Sequence, residues 1–340
     1  MRDSRWHLDR SDRPQPALVD FLESVEFGGS GLRYRRKELA DTLRRLAPSR
    51  FISICDRDRL VGTYILTPTR VDLAGESVPA DYRGLLAVAL SHRRQGIGRR
   101  LVEAALDHAQ ASAAGEPRLS FGLIESGNEA SLRLLEAYGG KRLGTLESQL
   151  VYRQLPRSSP SLRRLDFDEA AAYTDELQHL ESGSGVIIRS AAELPLYALV
   201  AGSRIRAAAR VGISTIDLGP GGALARFLHR YAYGRFDVLR KRYDRRAFRY
   251  LTIHDPLVSA EPEAFEEFTN ALLAQFAAHM ALFTLDPGSE DARRLASTGL
   301  FGRFSRLTRQ ELQIIAHSWN LPDDRFARAA AGPIIGGPVY

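Results

Sequence analysis

The run Arg93-Arg94-Gln95-Gly96-Ile97-Gly98-Arg99-Arg100 is where residue types and spacing point most directly to chemistry in this 340-residue chain. It follows the apolar stretch Leu85-Leu86-Ala87-Val88-Ala89-Leu90. It precedes a segment that puts Leu101, Val102, Ala105, Leu106 and Ala109 on one helical face. A strand that turns into a helix here presents unpaired N–H groups and the positive end of the helix dipole. Glycine at 96 and 98 lets a pyrophosphate approach the backbone, and the four arginines add positive charge. The same residues also read as a plain strand-to-helix turn with solvated arginines. Two other glycine chemistries fail on detail. No Gly-Lys-Ser/Thr ending is present, and the third glycine of a G-x-G-x-x-G run is replaced by Leu101.

Composition narrows the remaining chemistry. Cys55 is the single cysteine, so an intrachain disulfide or a cysteine-built metal site is excluded. Its setting, Phe51-Ile52-Ser53-Ile54-Cys55, reads as a strand in which the thiol is a small buried hydrophobe. The eight histidines are scattered, with no pair at helical metal-ligand spacing, and no metal is expected. Net charge is +6, and the cations are arginines apart from Lys37, Lys141 and Lys241. That balance suits an anionic ligand and would equally suit nucleic acid. No apolar run reaches the ~18 residues that span a bilayer, and the first residues lack a signal-peptide core. A cytoplasmic protein is expected.

The elements that must position the glycine turn follow from periodicity. Helices are expected at about Pro16–Glu26 and Arg36–Leu46, with a flexible Gly28–Leu32 loop between them. Phe51–Cys55 and Leu60–Leu66 read as a hairpin around Asp56-Arg57-Asp58. Arg83–Leu90 reads as a strand buried on both faces. After the helix come a strand at Arg118–Ile124 and a helix at Glu129–Tyr138 stopped by Gly139-Gly140. Two strands, Lys141–Gly144 and Gln149–Leu155, then close an α/β domain over residues 1–155. Residues 156–160, Pro-Arg-Ser-Ser-Pro, read as a linker.

Leu86-Ala87-Val88 followed by Arg93-x-x-Gly96-x-Gly98 resembles the acetyl-CoA motif of the GNAT superfamily of N-acetyltransferases. Asn128 with Ser131 and Leu134, then Gly139-Gly140-Lys141-Arg142-Leu143-Gly144, resemble that family's later motifs in the same order. The resemblance implies a mixed sheet flanked by helices and acetyl-CoA as co-substrate. By it, the backbone of Arg94, Gln95, Gly96, Ile97, Gly98 and Arg99, with Arg93 beside it, would hold the pyrophosphate. Leu86, Ala87 and Val88 would pair with the pantetheine arm, and the Val88 N–H would polarise the thioester carbonyl. Asn128 would bond the pantetheine chain; it reads equally as the cap of the helix starting at Glu129. The family often carries a tyrosine acid seven residues after that Asn, and here the place is Leu135. Tyr138 lies three residues on, about 4.5 Å along the axis at about 1.5 Å per residue. It is either a substitute acid or a core aromatic.

Acetyl transfer needs a neutral amine, hence a carboxylate to take its proton. Glu125, just past the strand at Arg118–Ile124, and Asp81, just before the strand at Arg83–Leu90, are the candidates. Glu23 and Glu26, three apart on the first helix, are placed to bind a cationic substrate instead.

The second half repeats the first. Leu162-Arg163-Arg164-Leu165-Asp166 parallels Arg5–Asp9, Leu199–Ser203 resembles the first hairpin turn, and Gly288-Ser289-Glu290 aligns with Gly127-Asn128-Glu129. This implies two tandem GNAT-like domains, the second over residues 161–325, followed by a flexible tail at 326–340. After Phe248–His254 the second copy has Asp255-Pro256-Leu257-Val258 in place of the glycine turn, then Glu261, Glu263, Glu266 and Glu267. Acids in the first helical turn occupy the place of a pyrophosphate, so this copy is expected to be degenerate. Segment 226–249 holds nine Arg or Lys interleaved with Tyr231, Tyr233, Phe236, Tyr243 and Phe248. It reads as an amphipathic helix or as a grip on nucleic acid. Two functions remain: an N-acetyltransferase acting on an amine, of a small molecule by preference, or an acyl-CoA-sensing protein that uses 226–249 for a nucleic-acid or protein partner. The donor could also be a longer acyl-CoA.

Overall fold

A computed structural model describes residues 5–28, 33–46, 48–153, 155–166, 169, 185–188, 194–218, 247–257, 261, 263–278, 280–302, 309–332 and 334–336. In the first half these form β1 (Trp6–Ser11), α1 (Pro16–Ser24), β2 (Tyr34–Lys37), α2 (Leu39–Arg45), β3 (Arg50–Asp56), β4 (Arg59–Leu73) and β5 (Glu76–Val88). Then come α3 (Ile97–Ala113), β6 (Arg118–Glu125), α4 (Glu129–Ala137) and β7 (Lys141–Tyr152). The second half has β8 (Leu162–Arg164), β9 (Val186–Ile188), β10 (Leu196–Ala201), β11 (Arg204–Leu218) and β12 (Phe248–Leu257). It continues with α5 (Ala264–Gln275), β13 (Met280–Leu285), α6 (Glu290–Ser297), β14 (Gln310–Trp319), α7 (Asp323–Ala331) and β15 (Ile334–Gly336).

The mixed α/β architecture agrees with the sequence, and the repeat is real in space. The sheet order is β1-β3-β4-β5-β6-β14-β7-β13-β12-β11-β10-β8. Reading inward from either edge gives equivalent strands, with parallel pairs β5–β6 and β12–β13 in matching places. One feature of the order departs from two domains standing side by side. One long strand of each half crosses to the other: β14 pairs with β6, and β7 pairs with β13. The two visitors then pair with each other. Lys141–Tyr152 is accordingly one continuous strand, where two were expected. It is paired on both edges by second-half strands, so no break falls between Gly144 and Gln149.

Local chemistry accounts for the main elements. α3 buries Ile97, Leu101, Val102, Ala105 and Ala109 against β4. Gly62 permits that seat, because a Cβ there would come 2.7 Å from the Ile97 side chain. At full burial Leu101 and Val102 contribute about 1.5–3 kcal/mol each. The β4–β5 hairpin turns at Ala74-Gly75, both with positive φ, as a two-residue turn requires. α5 plays the part of α3 in the second half, burying Phe265, Phe268 and Leu272.

Two expectations are corrected. Tyr34–Lys37, assigned in part to the second helix, is a strand, and the helix begins only at Leu39. β2 pairs with β11 of the other half, a long-range partner that periodicity does not reveal. The tail expected to be flexible from 326 is ordered over much of its length. α7 buries Phe326 and Ala329 against the central core, and β15 pairs with β9. Among the described residues no helix is long and apolar enough to cross a membrane. Segment 226–249 lies outside the described residues except at its end, where Phe248 opens β12.

Candidate active site

The site grows from a parting of strands. β5 and β6 pair only over Ala80–Tyr82 and Leu119–Phe121, then diverge although both continue. Leu85 sits at the bend with φ of 52°, beside a register shift in the β4–β5 ladder. A bulge there increases the local twist and turns the end of β5 away from β6. β5 stays paired to β4 through Ala87 and Val88. The Ala89 N–H donates to the Val61 carbonyl at 2.8 Å. Because residues alternate along an antiparallel pair, the N–H and C=O of Val88 turn the other way, into the opening. Leu86 and Val88 are half-buried toward α3, and Ala87 is buried in the α1–α2 core.

The end of β5 leads to the glycine turn. Leu90–His92 form a 3-10 turn and Arg93 is extended. Arg94 (φ 61°) and Gly96 (φ 85°) are left-handed, and α3 starts at Ile97. Gly96 is required by its backbone, since a Cβ there would meet nothing within 4 Å. The Arg100 N–H bonds the Gly96 carbonyl at 3.1 Å. The amides of Ile97, Gly98 and Arg99 come before the first i→i−4 acceptor and face outward. Arg93 Nε reaches back to the Val88 carbonyl at 3.3 Å, and Arg100 lies 4.8 Å over the Trp6 ring. Arg94, Gln95 and Arg99 are exposed at the mouth.

Sequence reasoning missed the brace that holds this turn. Gln95 Nε2 donates to the Ser91 carbonyl at 3.1 Å, and Ser91 Oγ bonds His92 Nδ1 at 2.8 Å. His92 Nε2 meets Asp56 at 3.2 Å, and Arg5 closes on the same carboxylate at 2.6 Å. Hydrogen bonds from Arg5 and His92 hold the Asp56 carboxyl down at about 2. Only the Asp56-Arg57-Asp58 turn itself was visible as a pattern.

The candidate acid–base residues divide three ways. Asp81 is corrected: it is buried, and Arg118 grips both its oxygens at 2.8 Å, so its carboxylate is engaged in a structural pair. Glu125 ends β6 on the face shared with Phe121, opposite α3 and α4. Among the described residues its carboxylate makes no ion pair, and its charge is felt by the Tyr34 phenol. Tyr138 donates to Glu103 of α3 at 2.5 Å, and burial with that acceptor pushes its pKa up to about 12. Leu135 is core. Asn128 Oδ1 accepts from the Ser131 N–H at 3.3 Å, so it caps α4. Glu23 is likewise a cap, accepting the Leu39 N–H at 3.0 Å, and Glu26 pairs with Arg33.

On the Glu125 face the structure gathers residues that no motif predicted. Tyr34 and Arg36 of β2, Tyr82 of β5 and Tyr250 of β12 interact electrostatically with one another. They come from both halves, and the β2–β11 pairing brings them together.

The second half keeps the parallel strand pair, and its sequence lacks the glycine pair found at the start of α3 in the first half. β12 and β13 pair over Tyr250–Ile253 and Met280–Phe283, and Asp255 has a φ of 47° where the first half has Leu85. Glu261 is held by Arg204 and Arg206, Glu267 by Arg206, and Glu266 by Arg153. Negative charge, already paired, stands near the start of α5.

Residues 24–117 match the family described as "Acetyltransferase (GNAT) domain". Over nearly its whole length the chain superposes on Saccharomyces cerevisiae N-myristoyltransferase with bound myristoyl-CoA. There the TM-score is 0.63 at 11% identity, covering 97% of this chain and 89% of that one. A second structure of that enzyme with myristoyl-CoA gives 0.61 at 10% identity, covering 97% and 85%. A third, with inhibitors as well, gives 0.61 at 10%, covering 92% and 80%. No curated protein matches the sequence.

Proposed function

We propose that this chain, which has the GNAT fold in pseudo-tandem form, is an acyl-CoA-dependent N-acyltransferase with its one working site in the first half. The carrying observation is the β5–β6 opening, with an outward-facing Val88 N–H, running straight into the glycine turn at the start of α3. The pyrophosphate sits on the amides of Arg94–Arg99, where dipole and arginines favour it. The pantetheine arm lies along Leu86–Val88 as an added strand. The Val88 N–H points at the thioester oxygen, where negative charge grows.

Glu125 takes a proton from the acceptor amine, directly or through water. The nitrogen lone pair attacks the thioester carbon, the C–N bond forms and the C–S bond breaks. The departing thiolate takes up a proton from water. Tyr138, committed to Glu103, holds the α3–α4 groove in shape.

The donor we favour is acetyl-CoA. Tyr82 and Phe121, ring centroids 5.5 Å apart and both buried, close the floor of the opening. A long acyl chain would have to part them. We take the acceptor to be a small-molecule amine and the setting to be the cytoplasm. Turnover measured with acetyl-CoA and myristoyl-CoA against an amine panel tests the reading. Faster acetyl transfer supports it, and transfer of myristoyl alone removes the donor assignment.

A further inference from the structure

Among the described residues, no acid pairs with Arg36. β2 places Arg36 opposite Ile216 and Tyr34 opposite Leu218, so both side chains share one face with Phe248 and Tyr250. The guanidinium interacts with the Tyr34 phenol, and its charge is felt by Tyr82 and Tyr250. The Phe27 ring lies 5.8 Å from it. Among the described residues no carboxylate forms an ion pair with Arg36, and its enclosed Nε has no acceptor. Arg118 has Asp81 as its acid and Arg153 has Glu266, while the buried Arg83 bonds the Ile315 carbonyl. A cavity of about 170 Å³ between α2 and β11 borders Arg36, and Lys37, Arg45, Glu38 and Asp41 also line it.

A half-buried guanidinium facing neutral phenols is a receptor for an anion, because a charge-assisted bond to it replaces an unmade one. Arg rather than Lys suits a planar carboxylate, which it grips bidentately. Tyr34 feels the charge of both Arg36 and Glu125, and Tyr82, which feels Arg36, pairs with Phe121 on the Glu125 face of β6. An acceptor spanning Arg36 and Glu125 has an anionic end and an amino end.

Resting on the transferase reading above, we propose that the acceptor is an amine that also bears a carboxylate, as in the amino acid class. Arg36 with Tyr34 and Tyr250 holds the carboxylate, and the amino group points toward Glu125. Arg36 is therefore a specificity-determining residue.

The test needs no turnover. A panel of N-acetyl amino acids and their carboxamides is titrated calorimetrically into the intact protein in the presence of CoA. The acid of at least one pair should bind ten-fold or more tighter than its amide. Arg36→Gln should erase that preference while changing acetyl-CoA affinity less than two-fold, and Arg36→Lys should restore part of it. Equal binding of every acid and amide, or a preference that survives Arg36→Gln, overturns the proposal. Acetyl-CoA binding without any acid preference sinks this inference alone. No acetyl-CoA binding by the unaltered protein sinks the transferase reading, and this inference with it.

Discussion

The two halves of the molecule share a scaffold and differ in the charge at one place. Each has a parallel strand pair that parts beside a residue of positive φ, Leu85 in one and Asp255 in the other. Each follows it with a helix packed across the sheet, α3 or α5. In the first half that helix starts on glycine and arginine with its amides open. In the second its neighbourhood holds glutamates already paired to Arg204, Arg206 and Arg153. Packing keeps the fold in both copies, because α5 buries as full a face as α3. On the proposed reading ligand chemistry is carried by a few residues at one helix start, while the packed scaffold is common to both halves.

The strand exchange gives the second half its use. β14 completes the sheet beside β6, and β11 receives β2. On the proposed reading both copies build the acceptor face, and the second copy serves as its wall.

The largest effect should come from Gly96→Glu. It puts a β-carbon on a left-handed backbone and a carboxylate where phosphate approaches. Acetyl-CoA affinity should fall more than 100-fold by calorimetry, and an unchanged affinity removes the pyrophosphate assignment. Glu125→Gln should lower kcat by roughly 10²–10⁴-fold with little change in donor affinity; normal turnover would free Glu125 from the base role. Tyr138→Phe sharpens the comparison from the other side. It should leave kcat within a few-fold, since the phenol already bonds Glu103, and a large loss would make it the acid after all. Smallest should be Glu261→Gln. It loosens the pairs with Arg204 and Arg206, should leave the unfolding midpoint nearly unchanged, and should create no second coenzyme site.

Acid should weaken both halves together. His254 in the second and His317 at the seam are buried, and burial lowers each to about 4. The unfolded chain binds those protons from about pH 6.5 downward, so stability falls as pH drops from 6.5 to 4 and levels below. Asp291, raised to about 6 by burial, opposes this from about pH 6 down to 4, where the folded chain holds a proton that the unfolded chain lacks. Denaturant titrations from pH 7 to 4 should show decreasing unfolding free energy, and a flat profile would contradict the neutral burial of these rings.

Much of the first half was legible in the sequence, because its signals are local. Gly96 and Gly98, the apolar strand and the one-sided α3 each declare themselves within a few residues. The hairpin at Asp56–Asp58 and the cap at Asn128 are local too. What was not legible depends on distant partners. β2 is four residues long and becomes a strand only against β11. Lys141–Tyr152 is continuous because second-half strands line both its edges. α7 is alanine-rich, and its order comes from seating Phe326 in a core built by others. Asp81 looked like a base until Arg118, 37 residues away, was seen to hold it. Arg36 and its phenols came together only through the pairing of the two copies.

The central claim is that one half binds acyl-CoA and the other has lost the means. Calorimetric titration of the whole chain with acetyl-CoA addresses it most directly. One site per chain, abolished by Gly96→Glu, is the predicted result. Two sites would contradict the degeneracy of the second half, and no binding at high micromolar coenzyme would contradict the assignment of the first.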